Sequence, residues 1–271
     1  MYHSVTFGNK NSYSDWHLVP DSRPVIVMPE QKKEVVDVPG GNSVIDMSMS
    51  LTKFPIFNRR SGSLRFHVLN GYRNWKDLYE EIAMYLHGQK MNMLLEDDPN
   101  FYYTGYFSVN WTSNNDGTWS DIEIGYDLEP YKYARIASSI GGSREVLASS
   151  SEYNISIPSS ELDPSLPTPL ILEVTNCHNS PKIAVGFTNS FLGISENPVR
   201  NVDTNNDGHN DTYITPYLIT SNGTYTIQKY PICGKTTSDM ANIRVRINLS
   251  SMSTSSSAYA TVTPKFRRAK L

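Results

Sequence analysis

The stretch from Phe101 to Tyr126 constrains the fold more than any other part of this chain. Two runs dense in aromatic and β-branched residues, Phe101 to Trp111 and Thr118 to Tyr126, flank Asn114-Asn115-Asp116-Gly117. Aromatic and β-branched side chains fit a pleated, half-buried surface, and an Asp-Gly pair supplies the positive-φ positions of a tight turn. The pattern predicts a long antiparallel hairpin. Long hairpins expose unpaired backbone along their margins, so the surrounding chain, or a second molecule, has to cover them.

What precedes the hairpin reads as helix, strand and corner. Asn74 is a suitable N-cap for WKDLYEEIAMYLHG, in which Trp75, Leu78, Tyr79, Ile82, Tyr85 and Leu86 recur at helical spacing and form one stripe. Asp77, Glu80 and Glu81 fall on the opposite face near the positive helix end. Gly88 is the residue expected just past a helix C-terminus, and Lys90 to Leu95 reads as an extended apolar run. Glu96-Asp97-Asp98-Pro99-Asn100 is turn chemistry. Three adjacent carboxylates before a proline do not easily converge on one ion, and no histidine lies close in sequence, so the corner reads as a charged, exposed turn.

The first 70 residues are extended. Pro20, Pro24 and Pro29 forbid helix, which leaves an edge strand or a strap across a neighbour, and Trp16 reads as a core anchor. Val35 to Val38 is a short strand closed by Pro39-Gly40-Gly41. The glycines do not make a phosphate loop, because no GK[ST] follows and SVIDMSMSLTKF alternates where a phosphate site needs a helix start. In Ser63 to Leu69, Leu64, Phe66 and Val68 alternate with Arg65 and His67, the signature of a half-buried strand. Arg59 and Arg60 read as a solvated loop.

Composition turns small and polar at ARIASSIGGSR, Ala134 to Arg144, and 271 residues suit two domains, read here as 1–132 and 133–271. The first carries 12 Lys+Arg against 17 Asp+Glu, net −5, and the second 12 against 10, net +2, so neither is an electrostatic trap for nucleic acid. The N-terminus lacks the basic and apolar regions of a leader, and no apolar run approaches membrane-span length; the expectation is a soluble, unexported chain without membrane insertion. Cys177 and Cys233 lie far apart without a CxxC and read as buried small hydrophobes. In the second half, Val146 to Ile157, Leu170 to Thr175, Lys182 to Thr188, Thr212 to Thr220, Thr224 to Tyr230, Asn242 to Leu249 and Tyr259 to Phe266 read as strands. Seven short strands with turn residues between them indicate a sandwich or jelly roll.

One loop stands apart. Asp203, Asn205, Asp207 and Asp211 place oxygen ligands at alternate positions, with Gly208 sixth and a carboxylate ninth, as in a calcium loop. The twelfth position is Ile214, so the bidentate glutamate of an EF-hand is missing. Asn, Asp and Gly are equally the residues of an ordinary surface turn.

Three stretches together resemble a known family: FGNKNSYSDWHLVPDSRPVI (7–26), VDVPGGNSVIDMSMSLTKFPIFNRRSGSLRFHV (36–68), and LHGQKMNMLLEDDPNFYYTGYFSV (86–109) followed by DLEPYKY (127–133). They are similar to the first domain of the distal tail proteins of siphophages, baseplate hub components that join the tail tube to the host-recognition apparatus. The likeness is dense over about half of the chain; the second half resembles the family's galectin-like domain only in outline. The resemblance implies a mainly β chain. A tail-tube-like sandwich or split barrel with one helix would be followed by a galectin-like β-sandwich or jelly roll. It also implies a homo-hexameric ring at the virion tail tip, made in the bacterial cytoplasm. Its neighbours would be the tail tube protein, a tail-associated lysin or tail tip protein, and receptor-binding proteins. The hairpin 101–126 and the early strap are the expected subunit contacts. The second domain would project and carry other baseplate proteins.

No GxSxG or HExxH occurs, and the six histidines are scattered, so neither catalysis nor a required cofactor is expected. The rival is a carbohydrate-binding sandwich. All four tryptophans, Trp16, Trp75, Trp111 and Trp119, precede the second domain, which leaves Tyr213, Tyr217 or Tyr225 to stack on a sugar. Lys265, Arg267, Arg268 and Lys270 read as a solvated basic end.

Overall fold

The computed structural model describes residues 2–50, 54–69, 75–113, 120–140, 142–149, 152–156, 162, 166–234, 236, 238, 239, 243–249 and 252–271. The chain divides into two compact units, Met1–Arg135 with Lys270–Leu271, and Ile136–Ala269. The sequence reading put the division at 132/133 and gave the last residues to the second unit.

In the first unit the elements run β1 (Val5–Phe7), β2 (Lys10–Asn11), β3 (Leu18–Pro20), β4 (Val35–Asp37), β5 (Val44–Asp46), β6 (Arg60–Val68), α1 (Trp75–Leu86), β7 (Lys90–Leu95), β8 (Phe101–Ser113), β9 (Ser120–Leu128) and β10 (Lys132–Ala134). An antiparallel sheet is ordered β2-β1-β7-β8-β9-β6-β3. The hairpin expected at 101–126 is its centre: β8 and β9 pair from Gly105↔Leu128 to Ser113↔Ser120. Its turn, 114–119, lies outside the described residues, as does the proposed N-cap Asn74.

Alternation along these strands decides the core. Leu64 and Phe66 of β6, Phe107 and Val109 of β8, and Ile122 and Ile124 of β9 point inward with Val5, Phe7, Trp16 and Leu18. Helix α1 lays Leu78, Ile82 and Leu86 into the same cluster, the 3.6-residue stripe read from sequence. Each such side chain removed from water stabilises by roughly 1.5–3 kcal/mol. Trp16 is fully buried, edge-on to Tyr85 with centroids 5.7 Å apart. The helix ends at Gly88, whose φ of 74° places it in the left-handed region that suits glycine.

The second unit contains β11 (Ser138–Ser139), β12 (Arg144–Leu147), β13 (Tyr153–Ser156), β14 (Thr168–His178), β15 (Ile183–Asn189), β16 (Ile194–Ser195), β17 (Arg200–Val202), β18 (Thr212–Ile214), β19 (Tyr217–Ile219), β20 (Gly223–Ile232), β21 (Arg244–Asn248) and β22 (Tyr259–Phe266); β23 (Ala269–Lys270) pairs with β10. Two five-stranded sheets form, β11-β22-β14-β20 with β12 on β22, and β13-β21-β15-β16 with β19 on β15. Leu170, Leu172 and Val174 of one meet Val185, Phe187, Val245 and Ile247 of the other in a single buried cluster, which makes the unit a β-sandwich. The chain is therefore mainly β. Among the described residues, α1 is the longest helix.

Candidate functional site

The surface that departs most from an ordinary monomer is the arm around β4 and β5. The two strands pair as Val35↔Asp46, Val36↔Ile45 and Asp37↔Val44, and among the described residues no third strand joins them. Their turn is Pro39-Gly40-Gly41, with Gly40 at φ 77° and Gly41 N donating to Val38 O at 3.0 Å. The legs continue the pairing: Met47 N donates to Glu34 O, Lys32 N to Ile56 O and Asn58 N to Glu30 O, each at 2.8 Å. Every residue of β4 and β5 is exposed. Cross-strand register puts Val36 with Ile45 on one face, and Val35 and Val44 with Asp46 and Asp37 on the other. Val25, Val27, Met28, Met47 and Met49 extend the exposed apolar surface along the legs. An isolated two-stranded hairpin is at best marginal in water, and both its edges are open.

Arg60 fixes the base of the arm. Its Nε and Nη2 donate to Pro130 O at 2.9 and 2.6 Å, its Nη1 reaches Val27 O at 3.4 Å, and the guanidinium lies 5.4 Å over the Tyr103 ring. Burial pulls its pKa below the usual arginine value. Arg59 Nε bonds Asp127 Oδ2 at 2.7 Å. The expectation of a solvated Arg59-Arg60 loop is thus corrected: Arg60 is buried because strap and post-hairpin turn both present carbonyls to it.

The acidic corner is also more than a charged turn. Glu96 accepts from Ser4 N at 2.7 Å and Ser4 Oγ at 3.0 Å. Asp97 meets Arg23 Nε at 2.8 Å and His3 Nδ1 at 2.9 Å, contacts that hold its carboxyl below the ordinary carboxylate range. Asp98 pairs with Lys132 at 2.7 Å. Together the three carboxylates tie the N-terminal residues His3 and Ser4, the strap at Arg23, and Lys132 to the corner. His67, read as a solvent-face residue, sits between Asp121 at 2.5 Å and Asp21 at 2.8 Å, and those hydrogen bonds raise its pKa.

Other expectations change in the same way. The hairpin β8–β9 is not a free contact surface over its inner length: β7 and β6 occupy its two sides, and Gly88 N donates to Phe107 O at 2.8 Å. The basic end is paired in part. Lys265 binds Glu173 at 2.6 Å, and Lys270 Nζ lies 4.6 Å over the Phe101 ring. Cys233 is buried and its thiol is pushed up to about 12 by that burial, whereas Cys177 is only half-buried.

The loop of Asp203, Asn205, Asp207 and Asp211 joins β17 to β18 and is held by its own amides. Asp203 Oδ1 accepts from Asn206 N at 2.6 Å and Asp207 N at 3.2 Å, and Oδ2 from Gly208 N at 2.7 Å. Asp211 Oδ1 accepts from Thr204 N and Oγ1 at 3.0 and 2.6 Å, which lowers its pKa. Asn205 Nδ2 donates to Asp207 Oδ2 at 3.1 Å. Among the described residues, no three His, Cys, Asp or Glu side chains converge as a metal-holding group. Nor is any described helix long and apolar enough to cross a membrane.

With this geometry in hand, comparison with solved structures finds four matching chains. The chain is similar over its whole length to a phage hub protein. That structure is the Dit protein of phage SPP1, described as a paradigm of the hub adsorption apparatus in phages infecting Gram-positive bacteria. It matches with 100% of each chain covered, 9% identity and a TM-score of 0.47. No protein-family model matches the chain, and no curated protein matches it.

Proposed function

We propose that this protein is a structural component of a phage tail tip, a distal tail hub whose copies assemble through the β4–β5 arm into a ring. The observation that carries the reading is the arm itself. Apolar side chains on both faces and open edges on both sides are tolerable only if another surface covers them, and a repeated copy of the same chain supplies that surface everywhere in a closed ring. The stretches similar to distal tail proteins, residues 7–26, 36–68 and 86–109, include the first part of the strap, β4 apart from its first residue Val35, and the whole of β5.

In this reading the first unit forms the ring, hexameric in the family it resembles, and meets the tail tube. The second unit, galectin-like in that family, offers its sandwich to receptor-binding or other tail-tip proteins. The role is architectural and needs no reaction. Light scattering on the purified chain, with images of the particles, tests it. A concentration-dependent closed ring is expected, and a strict monomer at high micromolar concentration would reject the reading.

Calcium is not required for this role. Asp203, Asn205, Asp207 and Asp211 would hold the ion if the loop turned its carboxylates away from its own amides. A rise in melting temperature in millimolar calcium, reversed by EDTA, supports that ligand set, and an unchanged melting temperature rejects it.

A further inference from the structure

The outer face of the sheet β13-β21-β15 in the second unit carries a polar concavity of about 560 Å³, lined by Asn154, Thr188, Ser190, Arg244 and Arg246. Strand alternation builds it. Val245 and Ile247 of β21 point into the sandwich core, so Arg244 and Arg246 stand together on the opposite face, about 7 Å apart along the strand. Register sets Ser156 and Thr188 beside Arg244, and Asn154 and Gly186 beside Arg246.

The two arginines differ in what they meet. Arg246 Nε donates to Glu152 Oε1 at 2.6 Å, and its Nη1 donates to Asn197 Oδ1. Asn197 is delivered by a segment that crosses the sheet at Gly186. A Cβ there would fall 2.5 Å from Glu196 O and 2.6 Å from Pro198 N, so the crossing requires glycine. Glu196 N donates to Phe187 O at 2.9 Å and fixes the segment. Arg246 is thereby locked and its charge offset. Arg244 is exposed, and its guanidinium makes no hydrogen bond or ion pair among the described residues.

The geometry points to an oxyanion site at this concavity, one that takes a phosphorylated or carboxylated sugar through Arg244. A guanidinium fork matches the paired oxygens of phosphate or carboxylate, and Arg244 holds a fork with no partner among the described residues. Thr188, Ser190 and Asn154 are neutral donors and acceptors suited to sugar hydroxyls. The volume lies within the range of small-ligand pockets, roughly 300–1,000 Å³. No aromatic ring lines the concavity among the described residues, so a neutral sugar finds no stacking platform and a protein partner finds no aromatic anchor site. This assignment stands independently of the hub reading.

Titrating the ¹⁵N-labelled full chain by NMR tests it, with glucose 6-phosphate, glucuronate, glucose, inorganic phosphate and hexa-aspartate as probes. Glucose 6-phosphate and glucuronate should shift the amides of Asn154, Thr188, Ser190 and Arg244, more weakly as salt rises. Arg244→Ala, at an exposed position, should keep the melting temperature and weaken both at least about tenfold. Arg244→Lys should retain part of the affinity. Equal binding of glucose, no binding of any probe, or an Arg244→Ala chain that binds glucose 6-phosphate undiminished would overturn the site. Inorganic phosphate matching glucose 6-phosphate, or hexa-aspartate binding more tightly than either sugar acid, would overturn the sugar assignment.

Discussion

Two hairpins of the first unit begin from similar sequence and end in opposite environments. In β8–β9, Phe107, Val109, Ile122 and Ile124 are buried, and β7 and β6 flank the pair. In β4–β5, Val35, Val36, Val44 and Ile45 are β-branched as strand residues should be, yet all are exposed and, among the described residues, no strand flanks them. Periodicity specifies that a segment is a strand; it does not specify which molecule covers it. An apolar two-sided hairpin with both margins open is the mark of a strand pair whose partner lies outside its own chain.

The sharpest way to break this contrast is to perturb each hairpin separately. Ile124→Ala should lower the stability of the folded chain by about 3 kcal/mol, measured by denaturant unfolding. Val36→Asp with Ile45→Asp should change monomer stability by no more than about 0.5 kcal/mol. That same double variant should abolish self-association in sedimentation velocity. If it unfolds the chain instead, the arm belongs to the internal fold and the contrast fails.

A smaller effect is expected where arm and sheet meet. Arg60→Leu removes the donors to Pro130 O and Val27 O and should destabilise by about 2 kcal/mol, with the loss appearing as faster exchange of the strap amides. The smallest is electrostatic. His67 bridges Asp121 and Asp21 with a raised pKa, so its contribution is full below the ordinary histidine value near about pH 6.5 and fades as pH rises through its folded value. His67→Gln should therefore cost less than about 1 kcal/mol at about pH 6 and almost nothing in mildly alkaline buffer.

The legible part of the fold was the part set by neighbours in sequence. Helix α1 followed from a stripe at 3.6-residue spacing, Gly88 from the backbone needed at its end, β8 and β9 from their aromatic and β-branched runs, and the second unit's strands from short alternating segments. What was missed depends on distant segments meeting. Arg60 looked like half of a surface pair, but its acceptor Pro130 O lies 70 positions away. Asp97 looked like a turn residue, but His3 is 94 positions away. The open arm had a local clue, SVIDMSMSLTKF after the Gly-Gly turn, though alternation alone does not distinguish one buried face from two exposed ones. The face bearing Arg244 was hidden for the same reason: Asn242 to Leu249 read simply as a strand, and what distinguishes Arg244 from Arg246 is the segment crossing at Gly186.

Hydrogen–deuterium exchange as a function of protein concentration tests the central claim most directly. The amides of β8 and β9 should be protected throughout, whereas those of β4 and β5 should exchange quickly in dilute protein and slow markedly as assembly proceeds. Assembled particles in which β4 and β5 exchange as fast as in the dilute chain would contradict the account.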